Sequence, residues 1–357
     1  MKSIQDLVRP EILELSAYPV PDATGYIKLD AMENPYPWPE AMLDEWTHRL
    51  RDVAMNRYPD PSARQLTERL KTAMSVPEGQ GVMLGNGSDE IIQIMAMALA
   101  KPDAKMVALE PGFVMYSMIA RFVGMEYIGV PLNAEDFSLD LEKTVETIKT
   151  HQPELVFIAY PNNPTANAFD AMSIEKIVEV AEGVVVIDEA YQPFAEDSFM
   201  GRLGRFPNML VMRTVSKLGL AGLRLGMLAG APEWLTQFDK VRLPYNINVL
   251  TQHSVDFALS HLPEFEQQAA QIRADRRQLC EALSSLEGVE PYPSRANFIL
   301  FRVPEGRAAE LFERLKERGV LIKNMSKAGG VLSHCLRVTV GTAEENKAFL
   351  EALKSSL

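Results

Sequence analysis

Between about residues 80 and 230, short β-branched apolar runs alternate with amphipathic stretches, a rhythm that few folds accommodate. The runs predict strands over 81–84, 106–110, 126–130, 155–160, 184–188 and 210–214. Helices are expected between them over 89–100, 113–124, 139–150 and 173–181. Strands separated by helices of that length form βα units and a mostly parallel sheet, so the chain is expected to be α/β. Ser88, followed by two acids, reads as the N-cap of the first helix.

Beyond Pro244 the pattern changes to a long helical region over 249–286, a strand over 297–303, a helix over 306–318 and two more strand-like runs. That composition suits a smaller α+β domain hinged by the long helix. The first 40 residues carry Pro19, Pro21, Pro35, Pro37 and Pro39 and are expected to form an extended arm. The expected division is therefore 1–40 as arm, 41–245 as large domain and 246–357 as small C-terminal domain, since 357 residues exceed what one core usually serves.

A formal charge of -12 without a long basic run repels polyanions, so neither nucleic acid nor an anionic membrane is an expected partner. The most apolar stretch, 91–100, is interrupted by Gln93, and the opening MKSIQDLVRPEILEL lacks the layout of a secretory signal. With only Cys280 and Cys335 present, a reducing, cytoplasmic location is expected and no disulfide framework. The five histidines show no ligand spacing, so no metal site is expected.

In an open parallel sheet, ligands sit beyond the carboxyl ends of the strands, and four polar clusters fall there. GNGSDE (residues 85–90) runs from a strand into a helix start, where free N–H groups and the helix dipole suit a phosphate; a plain turn and cap is the alternative. Lys217 follows the strand LVMRT with Thr214 and Ser216 before it and Arg224 after it, so hydroxyls and a guanidinium could grip that phosphate while nearby cations depress the amine. Taken alone, an SK dipeptide is more often a surface lysine. Asp188 ends an apolar strand, where a carboxylate needs a cation; a protonated pyridine nitrogen would serve, and so would a loop ion pair. Asn163, in PNNPTAN, and Tyr191 could hydrogen-bond a phenolic oxygen on such a ring, although asparagine before proline is also a routine turn signal.

Order decides between these alternatives. A loop phosphate site, then NNPT, DEAY, SK, an arginine in GLRLG and a late arginine in CLRVTVG resembles the fold-type I, class II pyridoxal-phosphate-dependent aminotransferases over nearly the whole chain. KLDAMENPYPWP, RYPDP, EPGFVMY and HCLRVTVGT resemble the branch that exchanges an amino group between histidinol phosphate and 2-oxoglutarate in histidine biosynthesis. The resemblance implies a large domain with a mostly parallel sheet flanked by helices and a smaller α+β domain. It implies pyridoxal phosphate held by Lys217, which also moves the proton, with Asp188 on the ring nitrogen and Asn163 and Tyr191 on the phenolic oxygen. Phe113 would stack on the ring, and Gly87, Ser88 and Asp89 would hold the phosphate, largely by backbone N–H groups, with Thr214, Ser216 and Arg224. Tyr58 would reach it from a partner subunit, which makes the expected assembly a homodimer with shared sites. Arg337 would receive the anionic end of both substrates, assisted by Lys323, Asn34 and Tyr18.

Three positions depart from the family pattern. Ala166 replaces the usual glycine after NPT, which asks for an ordinary backbone angle there. The interval from Lys217 to Arg224 is one residue short, and Lys323 stands where relatives carry a second arginine, keeping charge but losing the fork. The same residues would serve an aromatic amino-acid aminotransferase or a decarboxylase of an amino-acid phosphate. A non-catalytic regulator on this fold would carry an added DNA-binding module, for which the chain has no room.

Overall fold

A computed structural model describes residues 2–357. A seven-stranded sheet is built from β2 (Gly81–Asn86), β3 (Lys105–Glu110), β4 (Glu126–Pro131), β5 (Leu155–Ala159), β6 (Val184–Asp188), β7 (Met209–Thr214) and β8 (Leu225–Gly230), with β1 (Ile27–Lys28) lying elsewhere. Its order is β2-β8-β7-β6-β5-β3-β4, parallel except for β8, which runs antiparallel to both neighbours. The central strands β5 and β6 read as apolar runs up to Asp188 because both faces are covered. Val185, Ile187 and Val211 enter one hydrophobic cluster while Val184, Val186 and Leu210 enter another.

β8 escapes the apolar pattern because its glycines answer to packing. A Cβ on Gly226 would stand 2.7 Å from the Ser88 nitrogen, and one on Gly230 2.1 Å from Leu210. Gly226 thus lets the 85–88 loop close against the sheet. In that loop Gly87, at φ +81, occupies the N-cap position, and Ser88 is the first residue of helix Ser88–Leu99 with no side-chain cap bond, a correction to the expected cap. Glu90 instead accepts the Asn86 N–H at 2.6 Å.

The second body centres on a sheet of order β12-β13-β10-β9: β9 (Glu290–Pro291), β10 (Phe298–Arg302), β12 (Lys323–Asn324) and β13 (Cys335–Thr339). Helices Arg307–Glu317 and Ala343–Lys354 bury Leu311, Leu315 and Phe349 against it. The expected helical region over 249–286 is two helices, Val249–Leu259 and Leu262–Ser284, broken where Pro263 removes an N–H donor in the first turn of the second. The expected extended arm holds two short helices, Ile4–Leu7 and Pro10–Leu13, and then adds β1 in parallel to β11 (Val320–Leu321). Residues 29–36 pass from there between the two bodies. No helix among the described residues is long and apolar enough to cross a membrane.

Candidate active site

The carboxyl ends of β5, β6 and β7 and the start of helix Ser88–Leu99 surround one pocket, lined by Ser88, Asp89, Phe113, Asn163, Asp188, Tyr191, Thr214, Ser216, Lys217 and Arg224. Asp188 is buried and has no cationic partner among the described residues; burial pushes its carboxyl up to about 6. Two donors oppose that rise: the Tyr116 hydroxyl donates to Oδ2 at 2.7 Å and the Ala190 N–H to Oδ1 at 3.0 Å.

Lys217 is partly buried in a 3-10 turn after β7, its Nζ donating to the Ala31 carbonyl at 3.1 Å and lying 5.7 Å from the Tyr191 ring centre. Burial, and then the nearby Arg337, bring its amine down to about 8. Near neutral pH a usable share of it is therefore the free base, which a nucleophile or proton carrier requires.

Arg337 lies on β13 and crosses to the other body. Its Nη1 donates to Asn163 Oδ1 at 2.5 Å and its Nη2 to the Asp30 carbonyl at 3.0 Å. With Oδ1 engaged, Asn163 offers only its Nδ2 to the pocket. The Tyr191 hydroxyl likewise has no hydrogen-bond partner among the described residues, and burial raises its proton affinity, so it stays a donor.

The phosphate-type end is assembled by backbone. Ser88 and Asp89 have N–H groups without an acceptor at the helix start, whereas the Gly87 N–H is spent on the Gly85 carbonyl at 2.9 Å. Gly87 is therefore corrected from donor to spacer: a Cβ there would stand 2.6 Å from Arg224 Nη2. Arg224, in the left-handed region at φ 49, sends its guanidinium 3.5 Å from Asp89. Burial outweighs that cation and holds the Asp89 carboxyl above its ordinary range. The Thr214 hydroxyl donates to the Leu225 carbonyl (3.0 Å), accepts the Ser216 N–H (3.1 Å) and lies 2.9 Å from the Ser216 hydroxyl, so Thr214 shapes the turn that carries Ser216.

The remaining expected residues fall at different distances from this centre. Lys323 pairs with Arg337 across β12 and β13 and sits 5.7 Å over the half-exposed Tyr18 ring. Asn34 is not brought into the pocket: its amide donates to the Leu218 carbonyl (3.1 Å) and Gln268 (2.9 Å), and its oxygen accepts the Tyr36 N–H (2.9 Å). It anchors residues 29–36 instead. Tyr58 is 81% exposed and stacks on Tyr245, away from this chain's own pocket. Ala166 takes φ 64, against the ordinary angle expected, because its N–H must reach the Asn162 carbonyl (2.8 Å) while its own carbonyl accepts the Arg295 N–H (2.7 Å). Met32, Tyr116, Ala159, Pro161 and Ala190 were not expected in the pocket; Tyr116 was findable, three residues past Phe113 in the helix expected over 113–124.

A larger cleft near 192–201 holds Glu189, Arg213, Glu196 and Arg273, but its buried pair Arg213–Glu189 is already matched at 2.8 Å. By contrast the pocket of Lys217 has a buried carboxylate with no cationic partner among the described residues, two amide N–H groups without an acceptor at a helix start and a depressed amine. Those are the needs of a flat, protonatable ring bearing a phosphate and an aldehyde, and the residues fit it.

Fold and site together define an enzyme of the aminotransferase type. The chain belongs to the class I and II aminotransferases, whose family model matches residues 24–353. It is 55% identical to histidinol-phosphate aminotransferase 2 of Cupriavidus pinatubonensis, covering 99% of this chain and 97% of that one. It is also 55% identical to histidinol-phosphate aminotransferase 2 of Nitrosococcus oceani, with 98% and 96% covered. Its fold is that of the histidinol-phosphate aminotransferase of Sinorhizobium meliloti, solved in complex with pyridoxal-5'-phosphate: TM-score 0.87 at 22% identity, over 98% and 97% of the two chains.

Proposed function

We propose that this chain exchanges an amino group between histidinol phosphate and 2-oxoglutarate, with pyridoxal phosphate carried on Lys217. The observation that carries the reading is the convergence of Lys217 and Asp188 on one pocket, with Arg337 bonded to Asn163 on its wall, in a chain more than half identical to enzymes of that name. When bound, pyridoxal phosphate supplies an aldehyde that condenses with amines and a protonated ring that takes up the electrons released at the substrate carbon.

The chain's own groups do the rest. Asp188 holds a proton at the ring nitrogen, while Asn163 Nδ2 and the Tyr191 hydroxyl donate toward the phenolic oxygen. Ser88, Asp89, Ser216 and Arg224 hold the phosphate, and Phe113 covers the ring. Lys217 Nζ, freed from the Ala31 carbonyl, would take the proton from the substrate carbon and return it to the carbon that had been the cofactor's aldehyde, two atoms further along. Arg337 binds the phosphate of one substrate and the carboxylate of the other, which lets one site serve both halves of a ping-pong exchange. Lys323 and Tyr18 flank that anion.

We further propose a homodimer and a cytoplasmic location. Tyr58 stacks on Tyr245 at the surface, and Met55 (63% exposed) and Leu243 (73% exposed), within three residues of them in the chain, are also exposed; apolar surface of this kind suits cover by a second copy, which would carry Tyr58 to the partner's phosphate. Mixing Lys217→Ala with Tyr58→Phe subunits tests this, because mixed dimers then regain one intact site and some activity. The unpaired Cys280 and Cys335 suit a reducing compartment.

Addition of histidinol phosphate to the yellow holoenzyme is expected to convert its absorbance to that of the amine form of the cofactor. Lys323, a point charge, favours one rival reading, an aromatic amino-acid donor. Conversion by glutamate and phenylalanine but not by histidinol phosphate would establish that rival.

A further inference from the structure

Tyr116 lies on helix Met115–Val123 and is 1% exposed. Its ring lies flat against Phe157, with centroids 4.5 Å apart and planes at 9°, and Phe113 meets it edge-on at 5.5 Å. Its hydroxyl, held by that packing, donates to Asp188 Oδ2 at 2.7 Å. We propose that Tyr116 is a positioning residue for the transamination, fixing the Asp188 carboxylate and keeping the proton it shares with the cofactor ring on nitrogen rather than on oxygen. This rests on the reading of Asp188 given above.

A hydrogen bond donated to a carboxylate stabilises its ionised form, so within a pair that shares one proton it drives that proton to the partner. Asp188 needs such help. Burial favours its neutral acid, and the neighbouring Asp89 and Glu189 push the same way; the opposing donors are the Tyr116 hydroxyl and the Ala190 N–H. The Ala190 N–H is backbone and indifferent to side-chain identity, whereas the phenol is a choice of residue. Burial and Asp188 also raise the phenol's own proton affinity far above its usual range, so Tyr116 remains a donor throughout. Because burial sets the carboxyl near 6, in the region where pyridine nitrogens titrate, the two proton positions are close enough in energy for one hydrogen bond to shift their ratio measurably.

The test is nitrogen NMR of the holoenzyme at neutral pH, reconstituted with pyridoxal phosphate isotopically labelled at the ring nitrogen. The wild-type signal is expected at the protonated position, and Asp188→Asn should move it to the unprotonated one. Tyr116→Phe, which keeps the ring packing, should move it part of the way, by about a tenfold fall in the ratio of nitrogen- to oxygen-bound proton, the effect of one charge-assisted hydrogen bond. If Asp188→Asn moves the signal and Tyr116→Phe does not, the role of Tyr116 is overturned and the reading of Asp188 stands. A signal left protonated in Asp188→Asn overturns that reading itself. Should Tyr116→Phe fail to accumulate, 3-fluorotyrosine at position 116, a stronger donor in the same packing, should move the signal further toward the protonated limit; no movement counts against the proposal.

Discussion

Replacing the site lysine should make the cofactor-free protein more stable. In the unfolded chain the Lys217 amine titrates near its ordinary value of 10.5, and in the folded chain near 8. Between those values the unfolded state binds more protons, so this residue's contribution to stability rises with pH across that window. At pH 7 the folded protein carries a penalty of about 3 kcal/mol from this group, and at pH 9.5 less than half of that. Lys217→Met removes the penalty with a side chain of similar volume, but it also removes the bond to the Ala31 carbonyl, which contributes about 1 kcal/mol. The net expectation is a gain of about 2 kcal/mol at pH 7 that shrinks to near zero by pH 9.5. Urea unfolding of both proteins, stripped of cofactor and compared at each pH, measures the difference while the other titrating groups cancel. A variant no more stable than wild type at pH 7, or an advantage that holds steady or grows toward pH 9.5, would refute the reasoning.

Arg337→Gln removes both arms of the anion clamp and should raise KM for both substrates about 100-fold, the cost of two charge-assisted bonds; it should also move the pH midpoint of Lys217 upward, since Arg337 helps depress it. Gly87→Ala places a methyl group 2.6 Å from Arg224 Nη2 at a left-handed φ of +81. Titration of the cofactor-free variant with pyridoxal phosphate should show affinity lowered by about tenfold, against a backbone cost of about 1 kcal/mol in the melt. Arg213→Met strands the Glu189 carboxylate, which is fully buried and also accepts the Phe199 N–H and the Ser198 hydroxyl, so a loss of about 3 kcal/mol or more is expected in a thermal or urea melt.

The parts of the fold legible in the sequence are those governed by short-range pattern. β5, β6 and β7 read clearly because strands covered on both faces are apolar along most of their length, and each ends in a residue that lines the pocket. β8 did not, since Gly226 and Gly230 are set by contacts with Ser88 and Leu210, residues distant in sequence. The same reason hid Asn34, whose amide is taken by Leu218 and Gln268, and the left-handed angle at Ala166, which follows from Arg295 bonding across the chain. Gly87 was placed correctly in its loop but given the wrong task, because a sequence shows that an N–H exists and not which carbonyl it meets. Polar residues at the ends of apolar strands were the strongest signal, because their burial is costly unless something outside the strand repays it.

The segment 29–36 shows what that long-range information does for the chemistry. Leu29 bridges Leu321 and Thr339 by backbone bonds, Met32 gives its N–H to the Thr339 hydroxyl, and its carbonyl takes the Asn297 amide, so the segment is pinned to the small sheet. Within it, consecutive carbonyls of Asp30 and Ala31 hold Arg337 and Lys217, and Asn34 grips the carbonyl of Leu218, the residue after that lysine. Two cations that must later engage substrate and cofactor thus rest on neutral acceptors. A carboxylate in either place would bind its cation more tightly at this depth and raise the lysine's proton affinity, removing the free amine. A carbonyl satisfies the hydrogen-bond donor at little electrostatic gain, which leaves Lys217 depressed and Arg337 available to an anion. The same short segment therefore joins the two bodies and sets the resting state of the site, and Met32, at φ 53 with its side chain on the pocket wall, is where its backbone turns to do both.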